Sequence, residues 1–197
     1  NPAHSLADTP KWREALAALD LVVTIDVAMT ETARHSDYVL PTPTQYEKWE
    51  CSFFNLEPEE NTFQLRRPLL TPPQGVLGEP EIHTRLVEAL GAMPDELVAS
   101  LTATLEQQGR EAFAYQLLTT VREQPEIMNL VPVILYRTLG PTLPDGAAAA
   151  APLWALAHFF AQRHPTSMNR AGYEGEGPIL GEQLFEAIMS RASGVVF

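Results

Sequence analysis

The spacing of apolar positions changes along this chain. Trp12, Leu16 and Leu19 recur at helical intervals behind Thr9-Pro10, a cap and first-turn pair. The spacing predicts a short amphipathic helix over Lys11 to Leu19, ended by Asp20. Leu21 to Ile25 is then a β-branched run that is apolar on both faces, the pattern of a buried parallel strand. Thr30 to His35 leaves room for a turn or two of helix, with Thr30 as its cap and Glu31 suited to the helix dipole. Tyr38 to Leu40 reads as a second short strand, closed by Pro41. Cys51 to Leu56 and Thr62 to Leu65 each read as extended, and Pro68 to Gly78 as a connection.

From Pro80 onward the helical period takes over. Ile82, Leu86 and Leu90 form one stripe, with Gly91 at the C-terminal position. Asp95 to Gln108 and Arg110 to Gln124 carry the stripes Leu97, Leu101, Leu105 and Phe113, Leu117, Val121, and Gly109 splits them. Ile127 to Leu139 is a more apolar helix whose start is marked by Pro132. Helices from about Pro152 to Arg163 and from Gly181 to Arg191 follow, separated by the Gly-rich loop Asn169 to Gly177. No repeat at a fixed period is found. The expected fold class is α/β: a partial parallel-sheet, Rossmann-like layer over residues 1–92, followed by an all-helical segment over residues 93–197.

Composition narrows the functional classes. A net charge of −12 with no basic stripe argues against nucleic acid as a partner. One cysteine, Cys51, excludes within this segment an intrachain disulfide, a Cys-rich zinc site and a cysteine-ligated cluster. It suits a reducing compartment, and the expected location is the cytoplasm. The most apolar long window, Ala147 to Ala161, falls short of the about 20 residues a helical membrane span needs. The chain begins Asn1-Pro2 rather than with Met, and its apolar end, Gly194 to Phe197, reads as a strand cut off in progress. The expectation is a piece of a longer protein, not active alone.

Candidate chemistry collects between Leu21 and Glu57. Asp26 directly follows a strand, at the carboxyl edge where parallel sheets bind ligands. A carboxylate there can accept two parallel N–H bonds, as a guanine Watson-Crick edge or a ribose diol would present them. Spacing alone equally allows Asp26 to cap the segment Met29 to His35. Lys48 beside Glu47 can reach a phosphate or simply be solvated. The five histidines show no metal spacing, and most read as surface or helix-end residues. The Gly-Tyr-Glu-Gly-Glu-Gly stretch lacks the Lys-Ser/Thr of a phosphate loop. Tyr136 and Trp154 read as helix core.

Ordered blocks carry more than any single residue. Val22 to Trp49 presents a strand ending in Asp26, then Thr30-Glu31-Thr32-Ala33, then Ser36-Asp37-Tyr38-Val39-Leu40-Pro41, then Glu47-Lys48, with Asn55-Leu56-Glu57 beyond. This order resembles the third domain of the molybdopterin-guanine-dinucleotide oxidoreductases, the superfamily of formate dehydrogenase, periplasmic nitrate reductase and dimethyl sulfoxide reductase. Asn1-Pro2 resembles the end of that family's Gly-x-Asn-Pro turn, and Gly78-Glu79-Pro80-Glu81 its Gly-Glu-x-x-Asp. The resemblance covers about residues 1–92.

What the resemblance implies is a molybdenum-dependent oxidoreductase in which this segment binds and does not catalyse. Asn1 would contact the dinucleotide and Asp26 would accept the guanine edge, with Ile25 beside it lending backbone. Lys48 would neutralise the pyrophosphate or pterin end, and Glu81 would stand where the family has an Asp contact. The implied cofactor is molybdenum bis(molybdopterin guanine dinucleotide), with a 4Fe-4S cluster in a part of the protein outside this chain. A small-molecule redox substrate and an electron-transfer partner would complete the system. Pro58 interrupts the family's Asn-x-Glu-Arg-Arg-x-Gln, so Asn55 and Glu57 are not assigned as site residues. Cys51 lies where the family has Gly-Thr, and reads as a small packed residue rather than a molybdenum ligand. Two other readings stay open: a scaffold like the large peripheral subunit of respiratory NADH dehydrogenase, which shares the fold without molybdenum, and an α/β interaction module.

Overall fold

The computed structural model describes residues 1–52 and 63–192. The expected extended stretch beyond Ser52, with Asn55 and Glu57, lies outside these residues, as does the strand expected at the C-terminus. The chain is mixed α/β, with a small parallel sheet and many helices. It forms two compact units that interleave in sequence: residues 1–48 with 68–79, and residues 49–67 with 80–197.

The first unit opens with α1 (Pro2–Ser5) and α2 (Thr9–Ala17). Asp8 rather than Thr9 caps α2, accepting a hydrogen bond from the backbone of Lys11, so Pro10 keeps its place in the first turn. β1 (Val23–Asp26) and β2 (Tyr38–Pro41) pair in parallel, with Ile25 opposite Leu40 and Asp26 opposite Pro41. The register is pinned at its start by Asp37, whose carboxylate accepts from Val22 N at 2.7 Å, and by the Thr24–Ser36 hydroxyl pair at 2.6 Å. The strands expected to be buried are only half covered, with Val23 46% and Tyr38 64% exposed. Two strands present both faces with too few neighbouring layers to bury them. Between the strands, the segment expected as a turn or two of helix is a single 3-10 turn, Ala33–His35.

The second unit holds an antiparallel pair and the helices. β3 (Glu50–Ser52) pairs with β4 (Gln64–Arg66), setting Cys51 opposite Leu65. α3 (Glu79–Ala89) is mostly in this unit and buries Ile82 and Thr84. The predicted stripe is corrected here, because Leu86 and Leu90 face out. α4 (Asp95–Glu123) is two helical arms joined at Gly109, whose φ of 83° and ψ of −176° break the helix. Gln116 donates to Ser100 at 2.8 Å across the arms. In one straight helix these residues would stand about 24 Å apart. The two arms therefore form a hairpin, in keeping with the split that Gly109 marks in the sequence. α5 (Val131–Thr138) starts at Val131 with Pro132 in its first turn. α6 (Ala151–Arg163), α7 (Pro165–Arg170) and α8 (Pro178–Ser190) complete the unit. The last begins three residues earlier than expected, since Pro178 suits a first turn.

The core of this unit gathers Leu101, Leu105, Phe113 and Leu117 of α4 with Ile134, Leu135, Trp154 and Phe185. Phe113 meets Trp154 edge-on at 5.4 Å between ring centroids. His158 departs from the surface or helix-end reading given to most of the histidines, being buried in α6. Among the described residues, no helix is long and apolar enough to cross a membrane.

Candidate functional site

The carboxyl edge of β1 and β2 carries the densest polar geometry of the first unit. Asp26 ends β1 and is half-buried. Its Oδ1 accepts from Val27 N at 2.8 Å and its Oδ2 from the Thr30 hydroxyl at 2.9 Å. The carboxylate thus does brace the loop that follows, in the manner of a cap. Two internal donors occupy only half of its about four lone-pair positions, so both oxygens can still accept. Ile25 is fixed by the ladder opposite Leu40 and offers backbone only.

Asn1 is tied into the same loop. Its Nδ2 donates to Glu31 Oε2 at 2.7 Å, while its Oδ1 accepts from Thr32 N at 3.2 Å and from Thr32 Oγ1 at 2.8 Å. Thr32 Oγ1 in turn accepts from Ala3 N at 3.1 Å. The hydrogen bond from Asn1 lowers the Glu31 carboxyl below its ordinary range, aided by His4 and Arg34. Asn1 therefore shapes the turn, and keeps one amide hydrogen beyond its bond to Glu31.

Lys48 is one of two lysines in the chain. Its Nζ lies 2.6 Å from Glu79 Oε1, with both side chains largely covered at 24% and 35% exposure. Burial pushes the Glu79 carboxyl up, but the bond and charge of Lys48 outweigh it and the carboxyl ends below its usual range. The segment carrying Glu79 is laid on the sheet edge: Leu77 N donates to Pro41 O at 3.4 Å, and Thr42 N to Asp26 O at 3.2 Å. The first unit so contains Asn1, Ile25, Asp26 and Lys48, and its backbone brings the Asp26, Pro41 and Leu77 segments together.

Glu81 belongs to the second unit. Its carboxylate takes Arg85 at 2.6 Å and Arg137 at 2.9 Å, and Arg137 also grips Glu88 through two bonds of 2.6 and 2.8 Å. Burial pushes Glu81 up, and hydrogen bonds from Arg85, Arg137 and Tyr136 more than reverse it. This is the arrangement of a helix-to-helix clasp. Cys51 is half-buried in β3, and burial, with Glu50 beside it, raises its thiol. A raised thiol is a poor thiolate ligand.

Sequence reasoning passed over three residues that hold the edge together: Thr30 on Asp26, Thr32 on Asn1 and Glu79 on Lys48. No local pattern named Glu79: a largely covered lysine needs a carboxylate, but its coverage and its partner 31 residues away both come from the fold. A second polar cluster lies inside the helical unit, where Glu182 Oε1 takes Arg110 at 2.6 Å and Oε2 takes the Trp154 indole N–H at 2.7 Å. His158 Nε2 stands 3.5 Å from the same Oε2. Burial pushes Glu182 up, yet His158, Trp154 and Arg110 together hold it at about 2.

Residues 1–75 match the family model described as molybdopterin oxidoreductase. The F420-dependent formate dehydrogenase subunit alpha of Methanocaldococcus jannaschii is 37% identical over 91 residues, which is 46% of this chain and 13% of that protein. The nitrate reductase alpha chain of Bacillus subtilis is 33% identical over 89 residues, 44% of this chain and 7% of that protein. The trimethylamine-N-oxide reductase of Vibrio cholerae is 48% identical over 48 residues, 24% of this chain and 6% of that protein. The chain therefore spans a small part of the length of the curated relatives it matches. No solved structure matches it.

Proposed function

Because residues 1–75 belong to the molybdopterin oxidoreductase superfamily, we propose that this chain is part of a molybdenum-dependent oxidoreductase and forms part of the binding wall for a molybdopterin guanine dinucleotide. The observation that carries the reading is the position and state of Asp26. It ends a parallel strand, at the edge where such sheets take ligands, and is held rigid by Val27 N and Thr30 while both oxygens keep acceptor capacity. A rigid bidentate acceptor suits the N–H pair of a guanine edge. The ammonium of Lys48 is held by Glu79, and its positive charge suits a phosphate oxygen. The donor set fits the group.

In this reading Asp26 selects the base, Lys48 meets the charged linker or the pterin end, and Ile25 keeps the strand backbone in line. Asn1 acts chiefly by holding the turn that its Glu31 and Thr32 bonds define. Glu81 serves the helical clasp rather than the dinucleotide, since both of its oxygens bind arginines. The cofactor, when bound, supplies the redox chemistry, and the protein binds and orients it. The full system in this proposal uses the bis(molybdopterin guanine dinucleotide) form, a 4Fe-4S cluster held outside this chain, a small redox substrate and an electron-transfer partner.

The test is the guanine and molybdenum content of the full-length protein. Purified wild-type protein should yield both, and Asp26→Ala should lose guanine nucleotide. Absence of both from the wild type would support a scaffold instead.

A further inference from the structure

Lys48 does not face the edge of the sheet as a bare cation. The carboxylate of Glu79 lies 2.6 Å from its ammonium, so the pair has no net charge and attracts a phosphate far less than an isolated lysine would. Glu79 is the first residue of α3 and sits two residues after Leu77, which hydrogen-bonds to Pro41 at the end of β2. Pro41 is paired with Asp26 in the ladder. Glu79 is therefore tied to the carboxyl edge by backbone, and the long, flexible side chain of Lys48 is tied to Glu79.

We infer that Glu79 is a positioning residue: it sets the ammonium of Lys48 at the sheet edge, where it meets an anionic group of the bound dinucleotide, at the expense of long-range attraction. This rests on the proposed role of Lys48. It makes an unintuitive prediction. Removing the negative charge of Glu79 leaves a more positive site that nevertheless holds an anion less well, because the ammonium loses the partner that ties it to the start of α3.

The experiment uses full-length enzyme loaded with its cofactor and follows loss of guanine nucleotide and molybdenum during dialysis, with thermal unfolding measured alongside. The variants are Lys48→Gln, Glu79→Gln, their double combination, and the swap Lys48→Glu with Glu79→Lys. Lys48→Gln and Glu79→Gln should each speed nucleotide loss by about tenfold or more, the range seen when a partner behind a ligating group is removed. The double variant should be no worse than either single one, since Glu79 acts through Lys48. The swap should melt like the wild type, because the ion pair is restored, and still lose nucleotide quickly, because the ammonium now sits at position 79.

Nucleotide retention at or above the wild-type level in Glu79→Gln, with Lys48→Gln impaired, would overturn the inference and leave the role of Lys48 standing. Retention restored by the swap would overturn it too, making the pair purely structural. Full retention in Lys48→Gln would overturn the role of Lys48 itself, and the inference with it. Should Glu79→Gln lower the melting temperature strongly, Glu79→Asp keeps the charge but withdraws it by one methylene. It should also lose nucleotide faster, and unchanged retention there would count against positioning.

Discussion

Gly181 of α8 lies so close to His158 of α6 that a Cβ added to the glycine would meet the imidazole at 2.5 Å and the His158 Cα at 2.6 Å. No real Cβ tolerates such contacts, and one of the atoms is backbone. The absence of a side chain at 181 is what lets the two helices approach, and the approach brings Glu182, the next residue, to Trp154 and His158. Gly181→Ala should cost about 1–3 kcal/mol, as overpacking does in well-packed cores. Urea unfolding of wild type and variant reads this as a lower midpoint at unchanged slope.

Glu182 gives that packing a dependence on pH. Its folded carboxyl is held at about 2, below the ordinary 4.5. A depressed carboxylate stabilises the folded state fully above its unfolded value, and that contribution is lost as pH falls from about 4.5 towards 2. Its size is at most about 3–4 kcal/mol, because each pH unit between the unfolded and folded values is worth about 1.4 kcal/mol. Other depressed carboxylates, Glu81 and Glu88 among them, add to the acid sensitivity. The informative quantity is the difference between wild type and Glu182→Gln. The variant should be less stable at pH 7, and the gap should close towards pH 2. A gap that stays constant over this range would show that the charge of Glu182 contributes nothing.

Gly109 is where the α4 hairpin turns, with φ 83° and ψ −176°, a region that residues with a Cβ rarely occupy. There is open space around it, so the cost of substitution is backbone strain alone. Gly109→Ala should destabilise by roughly 1–3 kcal/mol. Calorimetry should show the loss. Gly91 and Gly75 also have positive φ in open space, so they are fair comparisons for the same substitution.

Much of this was legible in the sequence where one residue type fixes one conformation. Gly109 announced the hairpin break, Pro132 marked a first turn, and the β-branched run before Asp26 gave a parallel strand with its carboxylate at the edge. The ordered blocks from Thr30 to Lys48 carried the resemblance to molybdopterin oxidoreductases, which spacing alone did not. Burial was less legible. Leu86 and Leu90 have the helical spacing of a core stripe, yet face outward, because periodicity says which residues share a face and not what lies opposite. His158 is buried for a reason no local pattern contains, the missing side chain at Gly181, 23 positions along. The partners of Asn1 and Lys48 were hidden in the same way. Glu31 and Glu79 are 30 and 31 residues distant, and only the fold brings them together.

The central claim is that Asp26 reads a guanine edge, and the sharpest measurement is the nucleotide retained by full-length protein carrying Asp26→Asn. This variant keeps the shape and the carbonyl acceptor for Val27 N or Thr30, but replaces one acceptor oxygen with a donor. A wall that binds guanine through the carboxylate should lose nucleotide by about tenfold or more, as when one bidentate contact worth about 1–3 kcal/mol is broken. Melting should stay close to that of the wild type. Wild-type guanine content in Asp26→Asn would contradict the account.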